Sequence, residues 1–162
     1  MASTVRLNLV DGLKFDAHTP SGYTLRIDTT EASGGEGSAP GPMELQLVAL
    51  GGCGAMDVLS ILRKMRQDVT VYEVAVTAER AAEHPRKYLT ATIAHSFRGR
   101  GIGEAHVRRA IYLSMSKYCP VLATLSPAVQ VRETYEIADE SGGPPHRGEV
   151  TLAEPCPPVG GR

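Results

Sequence analysis

Hydrophobic and polar residues alternate along the first part of the chain, as in β-strands that bury one face. The alternation runs through Thr4–Val10, stops at the turn signal Asp11-Gly12 and resumes from Leu13 to Ala17. A two-residue period on each side of such a turn predicts a β-hairpin. A third strand is predicted to begin at Tyr23.

Between Met43 and Arg66 the apolar residues change to helical spacing, and no proline interrupts them. Gly41-Pro42 predicts the start of this helix, because proline is favoured at the first helical position. As far as Leu62 the helix is apolar on almost every side, and such a helix is surrounded by protein. One small sheet and one other helix cannot cover it, so we predict a homodimer with helices packed centrally.

The rest of the chain predicts two long strands, two helices and a last strand. The strands cover Val69–Arg80 and Tyr88–Phe97, the helices Glu104–Tyr118 and Val121–Leu125, and the last strand Val129–Ile137. The order βββ-α-ββ-α-α-β is not a regular βαβ alternation, which favours an α+β fold over a doubly wound one.

Composition changes after residue 137. Residues 138–162 are rich in proline and glycine and show little apolar periodicity. We predict one domain over residues 1–137 and a tail without secondary structure over residues 138–162.

Overall composition narrows the classes of function. The formal net charge is −1 and aromatic residues make up 5% of the chain, so no nucleic-acid partner is expected. No unbroken apolar run reaches the ~18 residues that span a bilayer, and the start of the chain does not resemble a signal peptide. We expect a cytoplasmic protein without a membrane partner. Its three cysteines are metal ligands, reactive thiols or small buried hydrophobes.

Cys53 is predicted in mid-helix, among three glycines at positions 51, 52 and 54. Each glycine in a helix interior costs roughly 0.5–1 kcal/mol relative to alanine. Close approach of another helix or access of a small substrate to the sulfur would offset that cost, so Cys53 is either a structural or a reactive residue. Asp57 follows one turn later, and its charge would raise the pKa of the thiol unless a cation intervenes.

Cys119 precedes Pro120 and is predicted to cap the helix Val121–Leu125. Free N–H groups and the helix dipole stabilise a thiolate at that position, and Lys117 adds positive charge. On physical grounds alone, Cys119 is therefore predicted to have the lower pKa of the two thiols, unless it fills a corner between helices. Cys156 is expected to be exposed and incidental.

A metal site and a cofactor are not predicted. The chain has no CxxC, HxxH or HExxH spacing. His84, His95 and His106 are interpreted as ordinary surface or strand-face residues.

Several segments together resemble the OsmC/Ohr family over roughly residues 4–137. They are Pro42–Leu45, Ala49–Cys53, Asp57–Lys64, Ala78–Arg80, His84-Pro85 and Lys117–Val121. The chain is most similar to an OsmC-like branch outside the Ohr hydroperoxide reductases.

The resemblance implies an α+β fold in an intertwined homodimer with two long central helices. It also implies a thiol peroxidase that reduces organic hydroperoxides and defends against oxidative stress. Cys53 matches the peroxide-reactive position and Cys119 the resolving one. An external dithiol would reduce the resulting disulfide, and no cofactor would take part.

The family's site also uses a glutamate near the start of the first long helix and an arginine from the N-terminal strands. Glu44 lies beside the expected position of the glutamate, one residue late. Arg26 is our choice for the arginine, with Arg6 and Lys14 as further candidates. The alternative function is a non-enzymatic dimeric protein that senses thiol oxidation or binds a small ligand.

Overall fold

The computed structural model of the chain describes residues 2–158 and has an α+β fold with two sheets. Within these residues the chain divides into two compact units, one ending at Gln46 and the other beginning at Leu47. The elements, besides a short 3-10 turn and a π-helical segment, are β1 (Arg6–Asp11), β2 (Lys14–His18), β3 (Thr24–Ile27), α1 (Pro42–Lys64), β4 (Asp68–Arg80), β5 (Tyr88–Arg100), α2 (Glu104–Leu113), α3 (Pro120–Leu125), β6 (Gln130–Asp139) and β7 (His146–Val150).

The first unit contains the antiparallel sheet β1-β2-β3. The predicted hairpin is confirmed, and its turn places Gly12 at a positive φ of 53°, a conformation that glycine adopts without steric cost. Leu7, Ala17 and Leu25 pair across the three strands and so lie on one apolar face. Leu7 and Leu25 are 52% and 41% exposed, so this face is largely open to solvent.

A buried carboxylate organises the glycine-rich segment that follows β3. Asp28 accepts hydrogen bonds from the Ser38 amide at 2.9 Å and the Ser38 hydroxyl at 2.8 Å, and from the amides of Thr29 and Glu36. These bonds lower the pKa of Asp28 to about 2, because they favour the charged form. The Asp28 side chain thus supplies hydrogen bonds to a segment that has no α-helix or strand hydrogen bonds of its own.

The second unit is built on the sheet β4-β5-β6-β7. Strands β4 and β5 form a long antiparallel pair, whereas β6 runs parallel to β5 and is reached through α2 and α3. The core of this unit gathers residues from α1, α2 and the sheet: Val58, Leu62, Phe97, Val107, Ala110, Ile111, Tyr135, Ile137 and Val150.

Helix α1 begins at Pro42, as predicted, and packs closely on β4. A Cβ atom at Gly51 would lie 2.6 Å from a methyl carbon of Val76, so only glycine fits this contact. The helix is also long enough, with a mean hydropathy of 1.7, to span a membrane by length and composition alone. Because Leu50, Val58 and Leu62 are buried in the protein, we interpret it as a core helix.

The segment after residue 137 differs from the prediction. Strand β6 continues to Asp139, and β7 pairs antiparallel with it. Two exposed ion pairs join β7 to β6, Arg132 with Glu149 and Arg147 with Glu136. Of the five residues of β7 only Val150 is buried, so the strand shows no apolar alternation. The prediction of a structureless tail was therefore wrong for residues 146–150.

Residues 151–158 lie along α2. Arg108 forms an ion pair of 2.9 Å with Glu154, and Arg109 donates a hydrogen bond of 3.1 Å to the carbonyl of Pro157. Cys156 is consequently half-buried, with its sulfur 3.5 Å from the Arg109 guanidinium. The expectation that Cys156 is exposed was wrong.

Candidate functional site

Helix α1 presents Cys53 and Asp57 on one face, since residues four apart are neighbours on a helix. Gly54 beside them is buried, and a Cβ at that position would lie 3.9 Å from the Ser114 hydroxyl. The segment after α2 thus lies within ordinary contact distance of α1 at the level of Cys53.

Cys119 reaches the same place through a change of helix type. The predicted helix Glu104–Tyr118 is α-helical only as far as Leu113, and Ser114–Tyr118 form a π-helical segment. Such segments are frequent at functional sites. Cys119 then adopts an extended backbone and caps α3, where its sulfur accepts a hydrogen bond of 3.3 Å from the amide of Leu122.

The sulfur atoms of Cys53 and Cys119 and a carboxylate oxygen of Asp57 all lie within 4.8 Å of one another. The two sulfurs are not bonded to each other. Asp57 also accepts a long hydrogen bond of 3.5 Å from the Ser114 hydroxyl, and the Ser114 side chain is fully buried. Two thiols and one carboxylate thus meet although they are far apart in the sequence.

The electrostatics of Cys119 differ from the prediction. Burial raises the pKa of its thiol to about 12, and the adjacent Cys53 sulfur and Asp57 carboxylate add to the rise. The Leu122 amide acts in the opposite direction, as expected for a helix cap, but burial outweighs it. Lys117 lies over the Tyr118 ring, 5.4 Å from its centre. The prediction of a low pKa at Cys119 was wrong because it ignored burial.

A cavity of about 380 Å³ adjoins the site on the side of Asp57. Its apolar lining includes Ile61 and Tyr118, and its charged lining includes Lys64 and Arg109. The cavity has room for a small organic molecule with an apolar body.

Arg26 and Glu44 have partners near them in the sequence. Arg26 donates to both carboxylate oxygens of Asp16 across the β2–β3 pair, at 2.8 and 3.0 Å. Glu44 accepts a hydrogen bond of 2.6 Å from the amide of Gly41 and so caps the start of α1. Their assignment to the site therefore stays a prediction.

The sequence reasoning missed a buried polar network on the sheet. His95 lies on the face of β5, as one of the two interpretations had it, but it is fully buried there, and its Nε2 atom lies 3.0 Å from a carboxylate oxygen of Glu133. Its other ring nitrogen is 2.7 Å from the Tyr72 hydroxyl. The three residues lie on adjacent strands. His95 and Glu133 occupy positions in the two-residue period of their strands at which the neighbouring residues are buried and apolar, and this position was the signal in the sequence that they are buried.

Comparison with known proteins shows the family of the chain. A family model described as OsmC-like protein matches residues 35–134, which include both Cys53 and Cys119. The chain belongs to the OsmC family. Protein YhfA of Escherichia coli strain K12, an OsmC relative, is 42% identical over 132 residues, which cover 82% of this chain and 96% of YhfA.

Solved structures support the OsmC fold. A hypothetical protein from Aquifex aeolicus VF5 is 30% identical, with a TM-score of 0.76 over 86% of this chain and 98% of the other. The organic hydroperoxide resistance protein OhrB of Bacillus subtilis is 10% identical, with a TM-score of 0.56 over 83% and 98% of the two chains. At that identity the likeness to OhrB extends to the fold alone.

Proposed function

We propose that this OsmC-family protein is a thiol-dependent peroxidase that reduces organic hydroperoxides in the cytoplasm. The observation that carries the proposal is the proximity of the Cys53 and Cys119 sulfurs, within 4.8 Å of one another. A pair of free thiols at this distance is suited to reversible disulfide formation after small local movements. Fold relatives include proteins named for organic hydroperoxide resistance.

In the proposed reaction, the Cys53 thiolate attacks the terminal oxygen of the hydroperoxide. The O–O bond breaks, Cys53 becomes a sulfenic acid, and the alkoxide takes up a proton to leave as an alcohol. The Cys119 thiol then attacks the Cys53 sulfur, which forms a disulfide and releases water. An external dithiol reduces this disulfide by thiol exchange and is itself oxidised.

The division of roles follows from the environment of Cys119. Burial raises the pKa of the Cys119 thiol, which disfavours Cys119 as the first nucleophile, because only a thiolate attacks peroxide. Cys53 is therefore assigned the attack. The apolar part of the adjoining cavity favours a peroxide that carries an organic group.

We also propose that the active form is a homodimer. In the second unit, the apolar side chains of Val48 and Met56 on α1 are 67% and 71% exposed. A second copy that covers these residues would bury an interface above the ~2,000 Å² typical of obligate dimers. Light scattering should give twice the 17.3 kDa mass of one chain; a monomer at micromolar concentration would contradict this.

The decisive experiment follows peroxide consumption and free thiols together. The parent protein should consume one equivalent of an organic hydroperoxide, such as cumene hydroperoxide, with loss of two thiols, and should turn over when a dithiol is supplied. Cys53→Ser should abolish consumption. Cys119→Ser should allow one turnover and trap a sulfenic acid on Cys53, and Cys156→Ser is the matched control that should behave like the parent.

A second candidate function is non-enzymatic sensing of thiol oxidation or binding of a small ligand. The engagement of Arg26 by Asp16 and of Glu44 by Gly41 favours it, because neither residue then activates the thiol. A sensor would lose two thiols once but would not turn over with excess dithiol. An undiminished rate of thiol oxidation in Cys53→Ser would instead make Cys119 the nucleophile.

A further inference from the structure

The cluster of Cys53, Asp57 and Cys119 has a composition that peroxide chemistry does not require. A peroxidase needs two thiols, whereas this site also holds a carboxylate oxygen within 4.8 Å of both sulfurs. Two sulfur atoms and one oxygen atom are ligands of a thiophilic divalent cation such as Zn²⁺. We propose that the reduced protein binds one Zn²⁺ ion per chain through these three residues.

The distances suit this coordination. With Zn–S bonds of about 2.3 Å, two sulfurs of a tetrahedral site lie about 3.8 Å apart. The three ligand atoms lie within 4.8 Å of one another, so closing around the ion needs movements of about 1 Å or less.

Neighbouring groups already orient the proposed ligands. The amide of Leu122 donates to the Cys119 sulfur, and the hydroxyl of Ser114 donates to Asp57. Hydrogen bonds of this kind fix metal ligands in place and are a regular part of metal sites. Because Ser114 is fully buried, the packing of the protein holds its hydroxyl group in place beside Asp57.

The charges around the site set its character. Two thiolates and one carboxylate carry three negative charges, which exceed the two of the cation by one. Lys64 and Arg109, which line the cavity beside Asp57, offset that excess. Three protein ligands leave a fourth position open, where water or a small thiol completes the tetrahedron.

Binding displaces two thiol protons, which pass to solvent as each sulfur forms a bond to the metal. The same sulfurs cannot then attack a peroxide or join in a disulfide. Zinc and disulfide are therefore mutually exclusive states of the site. This regulatory consequence rests on the proposed peroxidase function, whereas the metal site itself does not.

The test uses the full-length reduced protein without oxygen, and Zn²⁺ alone as the probe. Competition with a chromophoric chelator should show one tight site per chain. Cys53→Ser, Cys119→Ser and Asp57→Asn should each weaken binding at least about tenfold, because each removes a direct ligand. Cys156→Ser is the matched control and should bind like the parent.

Cobalt substitution gives an independent readout. Co²⁺ should produce the absorption bands of a tetrahedral ion together with a thiolate-to-metal band, and these should fall away in Cys53→Ser and Cys119→Ser. Parent protein oxidised with diamide should lose Zn²⁺ binding and recover it on reduction, which tests the site without any mutation.

Specific outcomes would overturn the proposal. Absence of a tight site in the folded parent, or the same Zn²⁺ affinity in Asp57→Asn as in the parent, would each do so. Peroxide consumption is measured separately on metal-free protein. A protein that binds Zn²⁺ but consumes no hydroperoxide would overturn the proposed function and leave the metal site intact. A protein that consumes hydroperoxide but binds no Zn²⁺ would overturn the metal site and leave the proposed function intact.

Discussion

The Nε2 atom of His95 lies 3.0 Å from a carboxylate oxygen of Glu133, and both side chains are buried in the second unit. Removing one partner leaves the other as a buried polar group without its hydrogen bond, which costs about 1–3 kcal/mol. We therefore expect Glu133→Ala to lower the free energy of unfolding by about that amount, as measured by urea denaturation.

A matched control lies on the same strand. Glu136 pairs with Arg147 at the surface, and an exposed pair contributes less than about 1 kcal/mol. Glu136→Ala should therefore have little effect. Equal losses in the two variants would contradict the distinction between the buried and the exposed pair.

The adjacent glycines of α1 are predicted to respond in opposite directions to alanine. Gly51→Ala forces a methyl group against Val76, and we expect a loss of about 1–2 kcal/mol because overpacking exceeds the gain in helix propensity. Gly52 has open space around the position of a Cβ. Gly52→Ala should therefore raise the free energy of unfolding by roughly 0.5–1 kcal/mol. A gain in stability for Gly51→Ala would show that Gly51 is not a contact glycine.

The raised pKa of Cys119 predicts its reactivity with alkylating agents. Below a pKa of about 12, the thiolate fraction grows tenfold with each pH unit. The alkylation rate of Cys119 with iodoacetamide should therefore rise steadily from pH 7 to pH 10 in the folded protein. Peptide mass spectrometry after short exposures measures the rate at each cysteine. A plateau near pH 8 or 9 would mean that burial does not control this thiol.

The hydrogen bonds of Asp28 predict an acid transition in the segment after β3. Its folded-state pKa is lowered to about 2, below the usual value near 3.9. The stabilising effect is present above pH 4 and is lost as the pH falls through 2. Hydrogen exchange of the Ser38 amide should therefore accelerate as the pH falls from 4 to 2, relative to the intrinsic rate.

Asp28→Asn should give the same loss of Ser38 protection at neutral pH. Asp11→Asn is the control, because the Asp11 carboxylate is mostly exposed and lies 3.7 Å from its Lys14 partner. Unchanged protection of Ser38 in Asp28→Asn would contradict the assignment of Asp28 as the organiser of this segment.

The elements that the sequence predicts well are those whose apolar period is strong. The first hairpin and helix α1 follow directly from the alternation and from Gly41-Pro42, and the α+β class follows from the element order. Strand β7 escaped prediction because it carries charged cross-strand pairs and only one buried apolar residue, Val150. The hydrophobic period of the sequence does not reveal such pairs, because they depend on the register between β6 and β7.

The site shows a similar limit. Cys53 and Cys119 were identified as candidates, and the capping position of Cys119 was predicted. The extent of its burial was not, because burial depends on how α1 and the π-helical segment pack together. The same packing brings Asp57 to both sulfurs, and no short spacing motif in the sequence encodes a cluster assembled from two distant segments.

The proximity of Cys53 and Cys119 also has a consequence for heat resistance. A disulfide between them would close a loop of roughly 65 residues and reduce the entropy of the unfolded chain, a stabilisation of about 4 kcal/mol in the chain-entropy description. The loop spans α1, the long β4–β5 pair and the connection to α3. Oxidation would thus raise the melting temperature of the unit that contains both thiols, and reduction would lower it again.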